Sequence, residues 1–241
     1  MKKTLYLPPN VKPPPQYLTS KTQIPKVMFL AAVGFPRPEF GFSGQIGIWE
    51  IMEKRVAQKK SKFHEKGDEY LINTTLNGDK FLLLLKDEVV PRIIEVVGGW
   101  AEKIIIQMDS AGGHGVVRNL GVLNDWGKSQ IWKPHNWRSS SRRSWRNVPV
   151  EFVTQPTRSP DLNVLDLGAW NSLQVAVQDI KYEKVECPIP IHERLRVAVL
   201  SAWETWCCEA VVSKLFATLL EVNKKVVIHK GANNFDFHTK K

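Results

Sequence analysis

Short apolar runs alternate along this chain with segments that carry a helical rhythm. Residues 26–35 (KVMFLAAVGF) form a nearly unbroken apolar run with β-branched and aromatic members, which predicts a buried strand. Residues 42–51 (FSGQIGIWEI) set Ile46, Ile48 and Glu50 against Gly47, Trp49 and Ile51, the alternation of a second strand. Residues 70–75 predict a third. Asn77-Gly78-Asp79 supplies a turn and a helix cap, and residues 81–100 are helical in composition with a kink at Pro91. Residues 103–109 (KIIIQMD) run apolar without interruption and end in an acid, which predicts a central α/β strand buried on both faces. Residues 148–153 predict a further strand. A helix over 162–178 is introduced by Ser159-Pro160-Asp161, with Asn163 as its cap. After Pro188 and Pro190 one long helix is expected over 191–222. Leu195, Val199, Ala202, Trp206, Val212, Phe216 and Leu219 give it a single apolar stripe, a core stripe and not a cofactor box.

This order predicts one mixed α/β domain over 26–222, after a proline-rich, aperiodic lead-in at 1–25 and before a basic tail at 223–241. Length agrees, since 241 residues can bury a core without staples. Three cysteines, Cys187, Cys207 and Cys208, make no disulfide framework and no zinc spacing. No apolar stretch near the start reaches a membrane span, and Leu7-Pro8-Pro9 interrupts any leader-like run, so a secreted or membrane protein is not expected.

Charge changes the picture. With 34 basic and 24 acidic residues the formal net charge is +10, which favours a polyanionic partner. No acid precedes Glu39. Lys54, Arg55, Lys59, Lys60, Lys62 and Lys66 cluster in one stretch, either an exposed hairpin end or a nuclear import signal. Residues 126–150 hold Lys128, Lys133, Arg138, Arg142, Arg143 and Arg146 and no acid, interleaved with Trp126, Trp132, Trp137 and Trp145. Arginine beside aromatic rings suits phosphate contact and base stacking, while the Ser139-Ser140-Ser141 run equally suits a solvated insertion, about 116–147.

Two acids carry candidate chemistry. Asp109 ends a buried strand, at the sheet edge where α/β folds collect ligands, and Ser110-Ala111-Gly112-Gly113-His114 is a small-residue turn that leaves it accessible. Alone, Asp109 reads first as a cap of the next helix or turn. Asp166 falls in the first turn of the helix from 162, where the dipole favours an acid regardless of function. If the strand from 148 pairs beside the one ending at Asp109, both carboxylates reach one edge and suit a hard divalent cation.

Four segments, 26–38 (KVMFLAAVGFPRP), 42–51 (FSGQIGIWEI), 104–115 (IIIQMDSAGGHG) and 155–174 (QPTRSPDLNVLDLGAWNSLQ), with a weaker echo at 221–234 (EVNKKVVIHKGANN), resemble the DDE transposases of the mariner type, particularly the plant and oomycete kind. The resemblance implies an RNase H-like mixed sheet flanked by helices. It also implies three acids binding two Mg²⁺ or Mn²⁺ ions, which cut transposon ends and join the 3′-hydroxyl to target DNA. By position, Asp109 is the second acid and Asp166 the third, and Asp161 is a turn and capping residue. His114 matches the family's histidine, which orients a phosphate or the metal shell; a loop histidine satisfied by backbone is the alternative. DNA, a homodimer on paired ends and the nucleus are the expected partners and place, with no membrane and no small-molecule cofactor.

The departures carry equal weight. The family's first acid precedes the 26–38 segment, where this chain has none, so the first strand is expected to be missing or incomplete and an edge of the 26–35 strand unpaired. Ser110 stands where Asn is usual, Ala169-Trp170 replaces a bulky aromatic pair, and the spacing from Asp109 to Asp166 is longer than the family pattern. Asp68 or Glu69 adjoins a strand, but the resemblance sets that stretch in a loop away from the metals. Two carboxylates hold Mg²⁺ weakly. Three readings therefore stand: a degenerate or truncated catalytic region, a non-enzymatic nucleic-acid-binding derivative, or a nuclease completed by another chain or an upstream exon.

Overall fold

An apolar run becomes a strand only where a second run lies alongside to take its backbone hydrogen bonds. The computed structural model describes residues 26–109, 116–129, 148–156, 158–181 and 190–231. Among these residues the strands pair two by two: β1 (Phe29–Val33) with β2 (Gln45–Glu50), β3 (Met52–Val56) with β4 (Glu69–Asn73), and β5 (Ile104–Met108) with β6 (Val150–Thr154). The helices are α1 (Gly78–Leu84), α2 (Val90–Val97), α3 (Val116–Ser129), α4 (Trp170–Lys181), α5 (Ile191–Trp206) and α6 (Glu209–Ile228). The fold class is mixed α/β, with helix exceeding strand more than twofold. No described helix is long and apolar enough to cross a membrane.

The described residues fall into two compact units. One is drawn from 26–29, 50–74, 171–181 and 190–206, the other from 30–49, the described part of 75–170, and 207–231.

In the second unit β5 and β6 run parallel, in register from Ile104↔Val150 to Met108↔Thr154. Parallel neighbours need a crossover, and α3 lies on that connection. It packs closely on β6: a Cβ added at Gly127 would sit 2.6 Å from the Val150 carbonyl oxygen, so only glycine allows the approach. Leu123, Val150 and Phe152 are almost wholly buried in this layer, each contributing about 1.5–3 kcal/mol of apolar burial. Asn124 completes the outer edge of β6, its Oδ1 accepting from Phe152 N at 2.7 Å and its Nδ2 donating to Phe152 O at 3.2 Å. Residues 116–129, the first part of the expected insertion, are thus a core helix; 130–147 lie outside the described residues.

β5 corrects one expectation. Ile104 and Met108 are buried, but Ile105 is 59% exposed and Gln107 is also open to solvent. The apolar run is covered on one face and not on both.

The helix expected over 81–100 begins earlier, at α1, because Asn77 Oδ1 accepts from Lys80 N at 2.9 Å. It continues through one wide π turn, Leu85–Val89, into α2. Pro91 explains the turn: it has no N–H, and its ring excludes the carbonyl four residues back. Phe81, Leu85, Val89, Val90, Ile93, Ile94 and Val97 keep one buried stripe through it. Helix ends at Val97, freeing Trp100 to stack on Phe40 at a centroid distance of 4.7 Å.

The helix expected over 191–222 is two. α5 stops at Trp206, and Cys208, extended at φ −103° and ψ 165°, begins α6. The apolar stripe steps by six positions between Trp206 and Val212, out of phase with a continuous 3.6-residue repeat. In the first unit Ala198, Val199, Ala202 and Trp203 are buried positions of α5, and Arg196 pairs with Glu50 at 2.8 Å.

Candidate functional site

Asp109 is the first residue beyond β5, and Gln155 the first beyond β6. The register Met108↔Thr154 carries both to one sheet edge, at the carboxyl ends of two parallel strands. Gln155 N donates to Met108 O at 3.0 Å, and its side-chain Nε2 donates to Asp109 Oδ1 at 3.3 Å. Gln155 is buried whereas Asp109 is exposed, so a fixed amide orients an accessible carboxylate.

A second tie brings in the other acid. Gln107 Nε2 donates to Leu162 O at 2.7 Å, fastening the short turn Pro160–Leu162 to β5. Asn163 then organises the next stretch of backbone. Its Oδ1 accepts from Leu165 N at 3.0 Å, and its main-chain oxygen accepts from Asp166 N at 3.0 Å and Leu167 N at 3.2 Å. The expected single helix over 162–178 does not form. A wide turn, Leu165–Ala169, comes first, and Gly168 at φ +131° breaks it from α4. That dihedral is open essentially to glycine alone. Asp161 lies in the Pro160–Leu162 turn, as expected of a turn residue.

The Asp166 carboxyl is held above the ordinary carboxylate range. Partial withdrawal from water is the main cause, and the negative charge of Asp109 adds to it; hydrogen bonds from the side chains of Asn163 and Trp170 oppose both. Asp166 as a residue remains solvent-open, so a ligand can reach it. The charge of Asp109, far away along the chain, therefore reaches Asp166 through space.

Two repelling carboxylates with hard oxygen donors fit one divalent cation such as Mg²⁺ or Mn²⁺, whose charge would relieve the repulsion. Among the described residues no three His, Cys, Asp or Glu side chains gather into a fuller ligand set. Asp68 is engaged elsewhere, its Oδ2 accepting from Glu65 N at 2.7 Å.

The remaining site expectations divide sharply. His114, Lys133, Arg138, Arg142, Arg143, Arg146, Trp132, Trp137 and Trp145 lie outside the described residues. Lys128 is exposed in the last turn of α3, where a cation suits the helix dipole. Nearby, Lys103, aided slightly by Lys128, holds the Glu151 carboxyl below its usual range. Trp126 packs on Phe152 at a centroid distance of 6.4 Å, with the Lys86 ammonium 5.5 Å from its ring.

Gln155, Gln107 and Trp170 were not foreseen as site residues. None had a readable signal, since the strand expected over 148–153 stops two residues short of Gln155 and only the register shows what each side chain faces. No protein-family model, curated protein or solved structure matches this chain.

Proposed function

We propose that this chain belongs to the catalytic region of a mariner-type transposase, RNase H-like in design, and carries two of the family's three acids. The observation that carries the reading is the approach of Asp166 to Asp109 beyond a parallel strand pair, where the Asp166 pKa is raised first by partial withdrawal from water and then by the Asp109 charge. The β5–α3–β6 crossover supports it, since one acid follows the first strand and the other follows the second. Asp109 and Asp166 would hold Mg²⁺ or Mn²⁺, which when bound neutralises charge developing on a phosphodiester. Gln155 orients Asp109, while Asn163 and Trp170 orient Asp166. With these two carboxylates alone the ion binds weakly and cleavage is slow or absent. The partner is DNA in the nucleus, with a second copy of the chain as a further candidate.

The test pairs Mn²⁺ calorimetry with nicking of supercoiled plasmid. Weak Mn²⁺ binding that disappears in both Asp109→Asn and Asp166→Asn, without nicking, is the expected result. Mn²⁺ binding indifferent to both substitutions would sink the reading. Vigorous nicking abolished by Asp109→Asn would instead mean an active nuclease completed by another carboxylate. A non-enzymatic DNA-binding derivative is the second reading, favoured by the net charge of +10. It requires affinity that falls steeply with salt and does not depend on either acid.

A further inference from the structure

We infer that the β3–β4 ribbon is a duplex-DNA-binding arm, with lysines at its end contacting phosphates. β3 and β4 pair antiparallel from Met52↔Asn73 to Val56↔Glu69, and Ala57 extends the pairing through Ala57 N to Asp68 O and Gly67 N to Ala57 O. The end of the ribbon is ordered by its own hydrogen bonds. Ser61 N donates to His64 O at 2.8 Å, while Ser61 Oγ accepts from His64 N at 3.1 Å. Glu65 N donates to Asp68 Oδ2, and the His64 ring stacks on Tyr70 at 4.5 Å.

That turn holds Lys62 and Phe63 at the apex, with the Lys62 ammonium 5.3 Å from the Phe63 ring centroid. Lys54, Arg55, Lys59, Lys60, Lys62 and Lys66 are all exposed. Lys60 pairs with Glu65, and Arg55 lies near Glu53 at 3.6 Å. Lys54, Lys59, Lys62 and Lys66 have no ion-pair partner among the described residues. Uncompensated ammonium groups on a narrow, pre-ordered ribbon complement a polyphosphate, and a two-stranded ribbon fits the major groove of B-DNA. Phe63, 43% exposed, adds an apolar contact for sugar or base edges. The choice of duplex DNA among polyanions rests on the proposed function; the ribbon's charge and order do not.

The experiment measures duplex affinity across a salt series for the full chain and for Lys59→Gln/Lys62→Gln/Lys66→Gln. A control chain carries Lys214→Gln/Lys224→Gln/Lys230→Gln, three exposed lysines of α6 and the turn after it. Three lost phosphate contacts should flatten the log–log salt slope by about 3 and weaken binding at least ~10-fold at low salt. Replacing the same lysines by arginine should restore binding. Mn²⁺ binding at Asp109 and Asp166 should be unchanged, which separates this inference from the proposed function. Duplex affinity that is unaltered or reduced no more than in the control chain would overturn it, as would a triple variant that loses binding to phosphatidylserine vesicles while keeping its affinity for duplex.

Discussion

The acid edge beyond β5 and β6 and the basic end of the β3–β4 ribbon are built by opposite means. At the acid edge, residues from two distant stretches meet because parallel pairing and two glutamine side chains bring them together. At the ribbon, one contiguous stretch makes its own strands, turn and ion pair. The first gathers like charge and leaves Asp166 with a raised pKa. The second spreads like charge over exposed side chains, where water screens it. A site for a compact cation needs its charges convergent and partly dry; a surface for a polyanion needs them separated and wet.

The largest test of this contrast removes the support of the acid edge. Phe152→Ala leaves a cavity between β6 and α3 and should cost about 3–5 kcal/mol, read from denaturant unfolding. A loss under about 1 kcal/mol would mean that this layer does not hold the edge. Next, Gly127→Ala forces α3 away from the Val150 carbonyl and should cost about 1–3 kcal/mol. Gly168→Ala strains the backbone two residues after Asp166, at about 1–3 kcal/mol. It should also abolish Mn²⁺ binding; retained binding would show that the wide turn does not position the acid.

Asp166→Asn should act in the opposite direction, stabilising the metal-free protein at neutral pH by no more than about 1 kcal/mol, because the group is solvent-open. Linkage sets the sign. Asp166 binds its proton more tightly folded than unfolded, so its contribution to stability is full below the ordinary value near 3.8 and is lost as pH rises through the raised folded value. Melting temperature compared between wild type and Asp166→Asn across pH 3 to 7 reads this directly. A variant less stable than wild type at pH 7 contradicts it. Smallest of all, Glu65→Gln at the ribbon end breaks an exposed ion pair and should change stability by about 0–0.5 kcal/mol. A cost above about 1 kcal/mol would show that the ribbon depends on that pair rather than on its Ser61 turn.

Much of the fold was legible. The runs at 26–35, 42–51, 70–75, 103–109 and 148–153 each overlap an observed strand, because period and β-branching are local properties. β3 was not anticipated, since its outward lysine and arginine mask a strand whose partner lies across a turn. The break at Cys207–Cys208 was present in the spacing of the apolar stripe but has no glycine or proline to mark it. At the acid edge Asp109 and Asp166 were legible from their positions after a strand and a turn. Gln155 and Gln107 were not, because a glutamine becomes a positioning group only when register decides what it faces.

The amino-acid order alone determined the mixed α/β class, the basic balance and the two acids with chemical potential, because composition, periodicity and turn chemistry act within a few residues. Tertiary structure alone decided which run pairs with which and that only one face of β5 is covered. It also decided that the charge of Asp109 reaches Asp166, since electrostatic coupling depends on separation in space and on exclusion of water, and neither is a property of position along the chain.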